Sequence, residues 1–192
     1  MVESTTARSP LEGWTDRFAA VLPDIRLEEL TFTPMVNLRV GAGARAAVEA
    51  AIGAALPTGP ALVGSCRAGT LVWLAPDEFL LLSDRAGDTA QALCALLDGA
   101  LAGDGAAVDV SAQRTIVSLG GPCARDLLAG GCSADLDAAV APTGTSVQTL
   151  LAQTGIVIIV ADAGSGEFLL VVRSSFATYL ASWLLQGARE YA

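Results

Sequence analysis

The chain has 192 residues and a formal net charge of −9, and all eleven of its cationic side chains are arginines. An acidic chain without a basic stripe is a poor ligand for nucleic acid or for an anionic membrane surface, so neither is predicted as a partner. The sequence contains no histidine and no lysine. Their absence excludes a Ser-His-Asp triad, a lysine Schiff base, a phosphate-loop lysine and the common zinc ligand sets.

Hydrophobic residues make up 53% of the chain and aromatic residues only 5%, which predicts a core built from Ala, Val, Leu and Ile. The longest uncharged stretch, residues 138–161, contains proline, glycine and glutamine, and its continuous apolar run "IVIIVA" has the length of a strand. A membrane-spanning helix needs roughly 20 predominantly apolar residues, so no span is predicted. The start of the chain, "MVESTTARSPLEGW", has no apolar core of the signal-peptide type. These features predict a cytoplasmic protein.

The spacing of apolar residues and of turn residues divides the first half into alternating elements. The pair "WLAP" and "DEFLLL" indicates two strands joined by a turn at residues 75–77, because proline presets the turn and aspartate can cap it. In chain order we predict a flexible tail (1–10), a short amphipathic helix (11–22), a strand (36–40), a helix (44–56), two strands (69–84) and a helix (88–97).

The second half repeats the same order of strands and helices. We predict strands within 108–119, a helix that opens at Pro122, strands within 146–162 and 167–173, and a last helix from Ser174 or Ser175. The segment "DEFLLLSDRAGDTAQALCALLDGAL" parallels "GEFLLVVRSSFATYLASWLLQGARE" in order and type. The predicted fold is therefore α+β, a single domain over residues 11–192 with two ferredoxin-like β-α-β-β-α pseudo-repeats at about 30–103 and 106–192.

Gly41, Gly43 and Ala46 stand at the spacing of a dinucleotide-binding fingerprint after a predicted strand. That site also needs an acidic residue about 20 positions further on to bind the ribose. Here the second strand would be "PALVGSC", which is followed by arginine. The corresponding corner of the second half, "LGGPCARD", carries a proline and loses the spacing. We therefore interpret the corner as a turn that the fold requires, with no nucleotide predicted.

Other candidate residues each have a structural and a functional interpretation. The pair Asp77 and Glu78 is interpreted as solvated turn residues. Asp109 and Ser111 indicate either a strand-end turn or a carboxylate that handles folate or an interface. The four cysteines are interpreted as buried apolar thiols, with a nucleophile or a metal set as the alternative: Cys66, Cys94, Cys123 and Cys132. Three aromatic residues are interpreted as core or interface anchors, with binding platforms as the alternative: Trp73, Tyr179 and Trp183.

The passage "VDVSAQRTIVSLGGPCARDLLAGGCSADLD", residues 108–137, resembles the signature of the aminomethyltransferase-like family, of the glycine cleavage T-protein type. It is more similar to the gamma subunits of heterotetrameric sarcosine oxidases. Further segments agree with those subunits in order and spacing, so the resemblance covers nearly the whole chain: "RSPL" at 8–11, "MVNLRV" at 35–40, "WLAPDEFLLL" at 73–82 and "VRSSFATYLASWLLQGAREY" at 172–191. One departure is Ala112, where the family usually has histidine after "VDVS".

The resemblance implies a mainly structural subunit with a fold like that of a folate-binding domain. Sarcosine oxidases of this type demethylate sarcosine to glycine with oxygen, and they yield hydrogen peroxide and either formaldehyde or methylenetetrahydrofolate. The implied partners are the alpha, beta and delta subunits, and the implied cofactors FAD, FMN, NAD, zinc and tetrahydrofolate belong to the complex. The resemblance carries no catalytic, cofactor-binding or metal-ligating residue onto this chain, so none is assigned.

Two alternatives stay open from the sequence. The first is a stand-alone folate-binding protein or aminomethyltransferase, which would need a carboxylate such as Asp109 to face a pterin in a central pocket. The second is a scaffold protein without enzymatic function. The apolar excess without a membrane span favours a chain that buries part of its surface against partners.

Overall fold

A computed structural model describes residues 7–21 and 23–191. Most of the predicted tail, residues 1–6, lies outside the described residues, as does Leu22 in the predicted first helix. The strands are β1 (Arg26–Leu30), β2 (Met35–Val40), β3 (Val63–Cys66), β4 (Gly69–Ala75), β5 (Glu78–Ser83), β6 (Gly105–Asp109), β7 (Arg114–Gly120), β8 (Ser146–Leu151), β9 (Thr154–Asp162) and β10 (Glu167–Arg173). The helices are α1 (Thr15–Ala19), α2 (Arg45–Ile52), α3 (Ala90–Leu101), α4 (Ala124–Ala129) and α5 (Ala177–Ala188).

The strands form two antiparallel five-stranded sheets with matching orders, β3-β4-β5-β2-β6 and β8-β9-β10-β7-β1. Each half contributes a β-α-β-β-β-α unit, one strand longer than the predicted repeat, and the α+β prediction is confirmed. The edge strands are exchanged between the halves. The strand β1 precedes β2 in the chain but pairs with β7, while β6 precedes β7 but pairs with β2. This exchange ties the two halves together.

The layers follow from which faces of the strands are apolar. Alternate residues of each sheet pack against helices, α2 and α3 on one sheet and α1, α4 and α5 on the other. The opposite faces of the two sheets pack against each other through a third apolar cluster, here called the intersheet layer. It consists of Met35, Val72, Leu80, Leu82, Ile116, Val157, Ile159 and Val171. The sheets are therefore covered on both faces, which explains the continuous apolar runs "FLLL" and "IVIIV".

The helix bounds differ from the predicted ones for local reasons. Helix α2 ends at Ile52 because Gly53 adopts a left-handed conformation, φ +70°, and its N–H bonds the carbonyl of Glu49. Helix α3 begins after Thr89, whose hydroxyl accepts a hydrogen bond from the Ala92 N–H, and it continues to Leu101. A single 3₁₀ turn, Ser174–Phe176, precedes α5. Within the described residues, no helix combines the length and apolarity needed to cross a bilayer.

Candidate functional site

The glycine corner between β2 and α2 holds a carboxylate of the chain itself. The Asp104 side chain accepts hydrogen bonds from the N–H groups of Gly43 and Ala44, at 2.8 and 3.1 Å. A Cβ at Gly41 would lie 2.0 Å from the Asp104 carboxylate, so glycine is needed there to admit it. The helix N-terminus favours an anion because of its unpaired N–H groups. Asp104 takes the place that a pyrophosphate would take in a nucleotide site. The glycines of this corner are therefore explained by the fold itself.

Asp109 and Ser111 form a turn that fastens the start of β2. The Asp109 carboxylate accepts from both the N–H and the hydroxyl of Ser111, at 2.9 and 2.6 Å. The Ser111 hydroxyl in turn accepts from the Met35 N–H at 3.0 Å. Asp109 is exposed on the edge strand β6 and lines none of the main cavities. The structure therefore supports the strand-end interpretation of this pair.

Ala112 lies in the same connection, exposed, with its carbonyl accepting a hydrogen bond from the Ser174 hydroxyl at 2.9 Å. A second bond joins the N–H of Ser174 to the carbonyl of Gln113. The β6–β7 connection is thus fixed to the end of β10. A histidine at position 112 would therefore stand on an exposed turn of this chain.

The four cysteines differ in burial. Cys132 is buried, whereas Cys66, Cys94 and Cys123 are half-buried, which is less burial than the sequence predicts. Burial raises the pKa of the Cys94 thiol, and the nearby Asp109 and Asp98 raise it further. A raised pKa disfavours the thiolate that a nucleophile or a metal ligand requires. Among the described residues no group of three or more cysteine, aspartate or glutamate side chains is placed to hold a metal ion.

Tyr179 and Trp183 are neighbours one turn apart on α5, whereas Trp73 lies in the other sheet. Trp73 packs against the core of the first sheet, and Trp183 packs against the core of the second. Trp183 lies so close to Gly131 that a Cβ there would approach its ring to 2.4 Å. The Tyr179 hydroxyl accepts a hydrogen bond from the Gln153 N–H at 3.3 Å, and its side chain is exposed. The structure favours anchors for the two tryptophans.

Asp77 and Glu78 differ from each other. Asp77 is exposed and lies 3.9 Å from the Arg39 guanidinium. Glu78 is half-buried and accepts hydrogen bonds from Arg39 and from the Asn37 amide, each at 2.8 Å. The interpretation as a solvated turn residue therefore holds for Asp77. Glu78, in contrast, is held by two neighbouring side chains and faces a cleft.

This cleft, of about 740 Å³, is the open end of the intersheet layer. Arg114 at the start of β7 and Arg173 at the end of β10 lie directly opposite each other in the antiparallel register. Both are lining residues, together with Leu74, Glu78, Gln148, Thr149, Leu150, Thr154, Gly155, Ile156, Val157 and Phe176. The sequence analysis did not single out either arginine. A comparison of the two repeats could have identified Arg173, because the segment "EFLLLSD" ends in aspartate where the parallel segment "EFLLVVR" ends in arginine.

Comparisons with known proteins agree over nearly the whole chain. The family described as sarcosine oxidase, gamma subunit, matches residues 40–190. The gamma subunit of sarcosine oxidase from Corynebacterium sp. (strain P-1) is 32% identical over 200 residues, covering 100% of this chain and 95% of that protein. The gamma subunit from an Arthrobacter species is 31% identical over 198 residues, with the same two coverages.

Solved structures give the same result for the fold. A chain of the heterotetrameric sarcosine oxidase from Corynebacterium sp. U-96, solved with pyrrole 2-carboxylate, has a TM-score of 0.86 and 30% identity over 96% of both chains. The aminomethyltransferase T of the glycine cleavage system from Bartonella henselae has a TM-score of 0.62 at 22% identity, over 92% of this chain and 49% of that one. The second likeness shows a shared fold. The family match and the full-length relatives show that this chain belongs to the sarcosine oxidase gamma subunit family.

Proposed function

We propose that the chain is the gamma subunit of a heterotetrameric sarcosine oxidase and that it assembles with alpha, beta and delta subunits in the cytoplasm. The observation that carries the proposal is the agreement of the fold over 96% of both chains with a chain of such an enzyme. Several large apolar side chains stay exposed, among them Phe32 at 63% and Val140 at 61%. Exposed apolar area of this kind is what a subunit buries against its partners.

Within the complex the chain contributes structure and no catalytic residue. Support comes from the absence of histidine and lysine, from Asp104 in the glycine corner and from the raised pKa of the Cys94 thiol. We assign FAD, FMN, NAD, zinc and tetrahydrofolate to the other subunits; in support, Asp104 occupies the dinucleotide-like corner, and the described residues contain no cluster of metal-ligating side chains. The oxidation of the CH–NH group of sarcosine by oxygen, with glycine, hydrogen peroxide and formaldehyde or methylenetetrahydrofolate as products, is then the work of those subunits.

Co-expression tests this proposal. The alpha, beta and delta chains are produced with and without this chain, and the purified material is measured by light scattering, flavin absorbance and sarcosine-dependent oxygen uptake. We expect a four-chain complex with activity, and an unstable or incomplete complex when this chain is omitted. The chain alone is expected to self-associate because its apolar surface is uncovered.

Two results would contradict the proposal. One is turnover of sarcosine by this chain without any companion. The other is tight, saturable binding of tetrahydrofolate to the isolated chain, which would support a stand-alone folate-binding protein or aminomethyltransferase instead.

A further inference from the structure

The cleft at the open end of the intersheet layer contains two arginines that form no ion pair with any described residue. Arg114 and Arg173 face each other across the β7–β10 pair, and both lie on the intersheet face because Ile116 and Val171, two residues away, belong to that layer. Within residues 7–21 and 23–191, neither guanidinium forms an ion pair with a carboxylate. The Nε of Arg114 is buried and has no hydrogen-bond partner there.

This arrangement is costly for the protein by itself. Like charges directly opposite each other on neighbouring strands destabilise a sheet, and a buried donor without an acceptor carries its desolvation cost. Burial lowers the pKa of the Arg114 guanidinium, and Arg173 lowers it further, whereas Glu78 opposes the shift. An arginine stays charged at neutral pH all the same. An anion bound between the two guanidinium groups would remove both costs.

Glu78 lines the same cleft, but its ion pair is with Arg39 and, among the described residues, with neither of the two cleft arginines. Its carboxylate oxygens already accept from the Asn37 amide and from Arg39, at 2.8 Å each. The cleft therefore keeps a positive surplus inside a chain whose net charge is −9. A guanidinium group can bind a planar carboxylate through two parallel N–H···O bonds, so either arginine of the pair can hold a carboxylate in this way.

The other lining residues indicate what the anion carries. Val157, on the intersheet face of β9, is an apolar lining residue, and Leu150 and Phe176 at the rim are 60% and 43% exposed. A volume of about 740 Å³ lies in the range of small-molecule sites. We infer that the cleft between the two sheets is a binding site for a small organic carboxylate, held by Arg114 and Arg173 with its apolar part against Leu150 and Phe176.

The test uses benzoate as the probe and the full chain in whatever assembly it purifies, so it does not depend on the proposed complex. Calorimetric titration is expected to show saturable binding of benzoate and none of its neutral isostere benzamide. Arg114→Met and Arg173→Gln should each weaken benzoate about tenfold or more, since each removes charge-assisted hydrogen bonds. Arg189→Met, an exposed arginine at the end of α5 that does not line the cleft, should bind as the parent does. Circular dichroism of each variant checks that it is folded.

Several results would overturn the inference. Equal binding of benzoate and benzamide, or unchanged binding by both cleft variants, would show that charge plays no part. Inorganic phosphate bound more tightly than benzoate would contradict the carboxylate. Absence of saturable benzoate binding, together with loss of companion chains in Arg114→Met but not in Arg189→Met, would assign the arginines to a carboxylate of a neighbouring subunit.

Discussion

The corner that leads from the first strand of each half into its helix is built twice, with different groups. In the first half the carboxylate of Asp104 caps helix α2 at the N–H groups of Gly43 and Ala44. In the second half the backbone carbonyl of Asp24, just before β1, accepts from the Cys123 N–H at 3.4 Å. One corner therefore depends on a side chain and the other on the main chain. A glycine pattern that resembles a phosphate site can therefore arise because one repeat uses a carboxylate of the chain to accept hydrogen bonds from the N–H groups of the corner.

The halves differ again where their sheets meet. Strand β2 begins with Met35, which is 1% exposed and lies opposite Leu82 in the intersheet layer. In the equivalent strand β7 the matching pair is Ile116 opposite Val171, and the strand extends two residues beyond it to Arg114 opposite Arg173. The first half thus ends its face with an apolar pair, and the second ends its face with two cations beside a cleft. The apolar pair is sufficient for packing between the sheets, so packing does not explain the presence of the two arginines.

The largest effect is expected when the first half receives the chemistry of the second. Met35→Arg places a guanidinium in an apolar layer where the fold supplies no acceptor, and it should lower the free energy of unfolding by about 4 kcal/mol or more. Met35→Leu keeps the volume and should cost less than about 1.5 kcal/mol. Urea unfolding followed by circular dichroism measures both. A stable Met35→Arg variant would mean that the layer opens to solvent at both ends.

The corners are expected to respond less strongly and unequally. Asp104→Ala removes the acceptor of two N–H groups at the start of α2 and should cost about 1–2 kcal/mol. Asp24→Ala keeps the backbone carbonyl that serves the second corner, and it should change stability by less than about 0.5 kcal/mol. Thermal unfolding of the two variants side by side gives the comparison. Equal losses would show that the Asp24 side chain also supports its corner.

The elements of the fold could be predicted from the sequence because their signals are local. The runs "FLLL" and "IVIIV" indicated buried strands, and the apolar spacing in "AQALCALLDGAL" indicated helix α3. The predicted end of α2 at residue 56 was wrong because Gly53, inside the predicted span, adopts the left-handed conformation that ends the helix. The Asp104 cap and the arginine cleft could not be predicted from local sequence signals, because both join residues that are far apart in the chain. Asp104 reaches Gly43 across 61 positions of sequence, and the arginine pair exists only through the β7–β10 register.

The smallest expected effect, and the one most informative about the arginine pair, comes from the reverse exchange. Arg114→Met removes one of the two facing cations and places an apolar side chain at the edge of the intersheet layer, and without ligand it should raise the free energy of unfolding by about 0.5–1 kcal/mol. The sign is diagnostic because the chain carries a net charge of −9, so losing a cation would by itself destabilise it. Arg189→Met loses the same charge from the C-terminal end of α5, where a cation is favourable, and should cost about 0.3 kcal/mol. A gain at position 114 with a loss at position 189 would locate the cost in the repulsion between Arg114 and Arg173. A loss at both positions would mean that Arg114 supports the fold, and the contrast between the two halves would then be structural only.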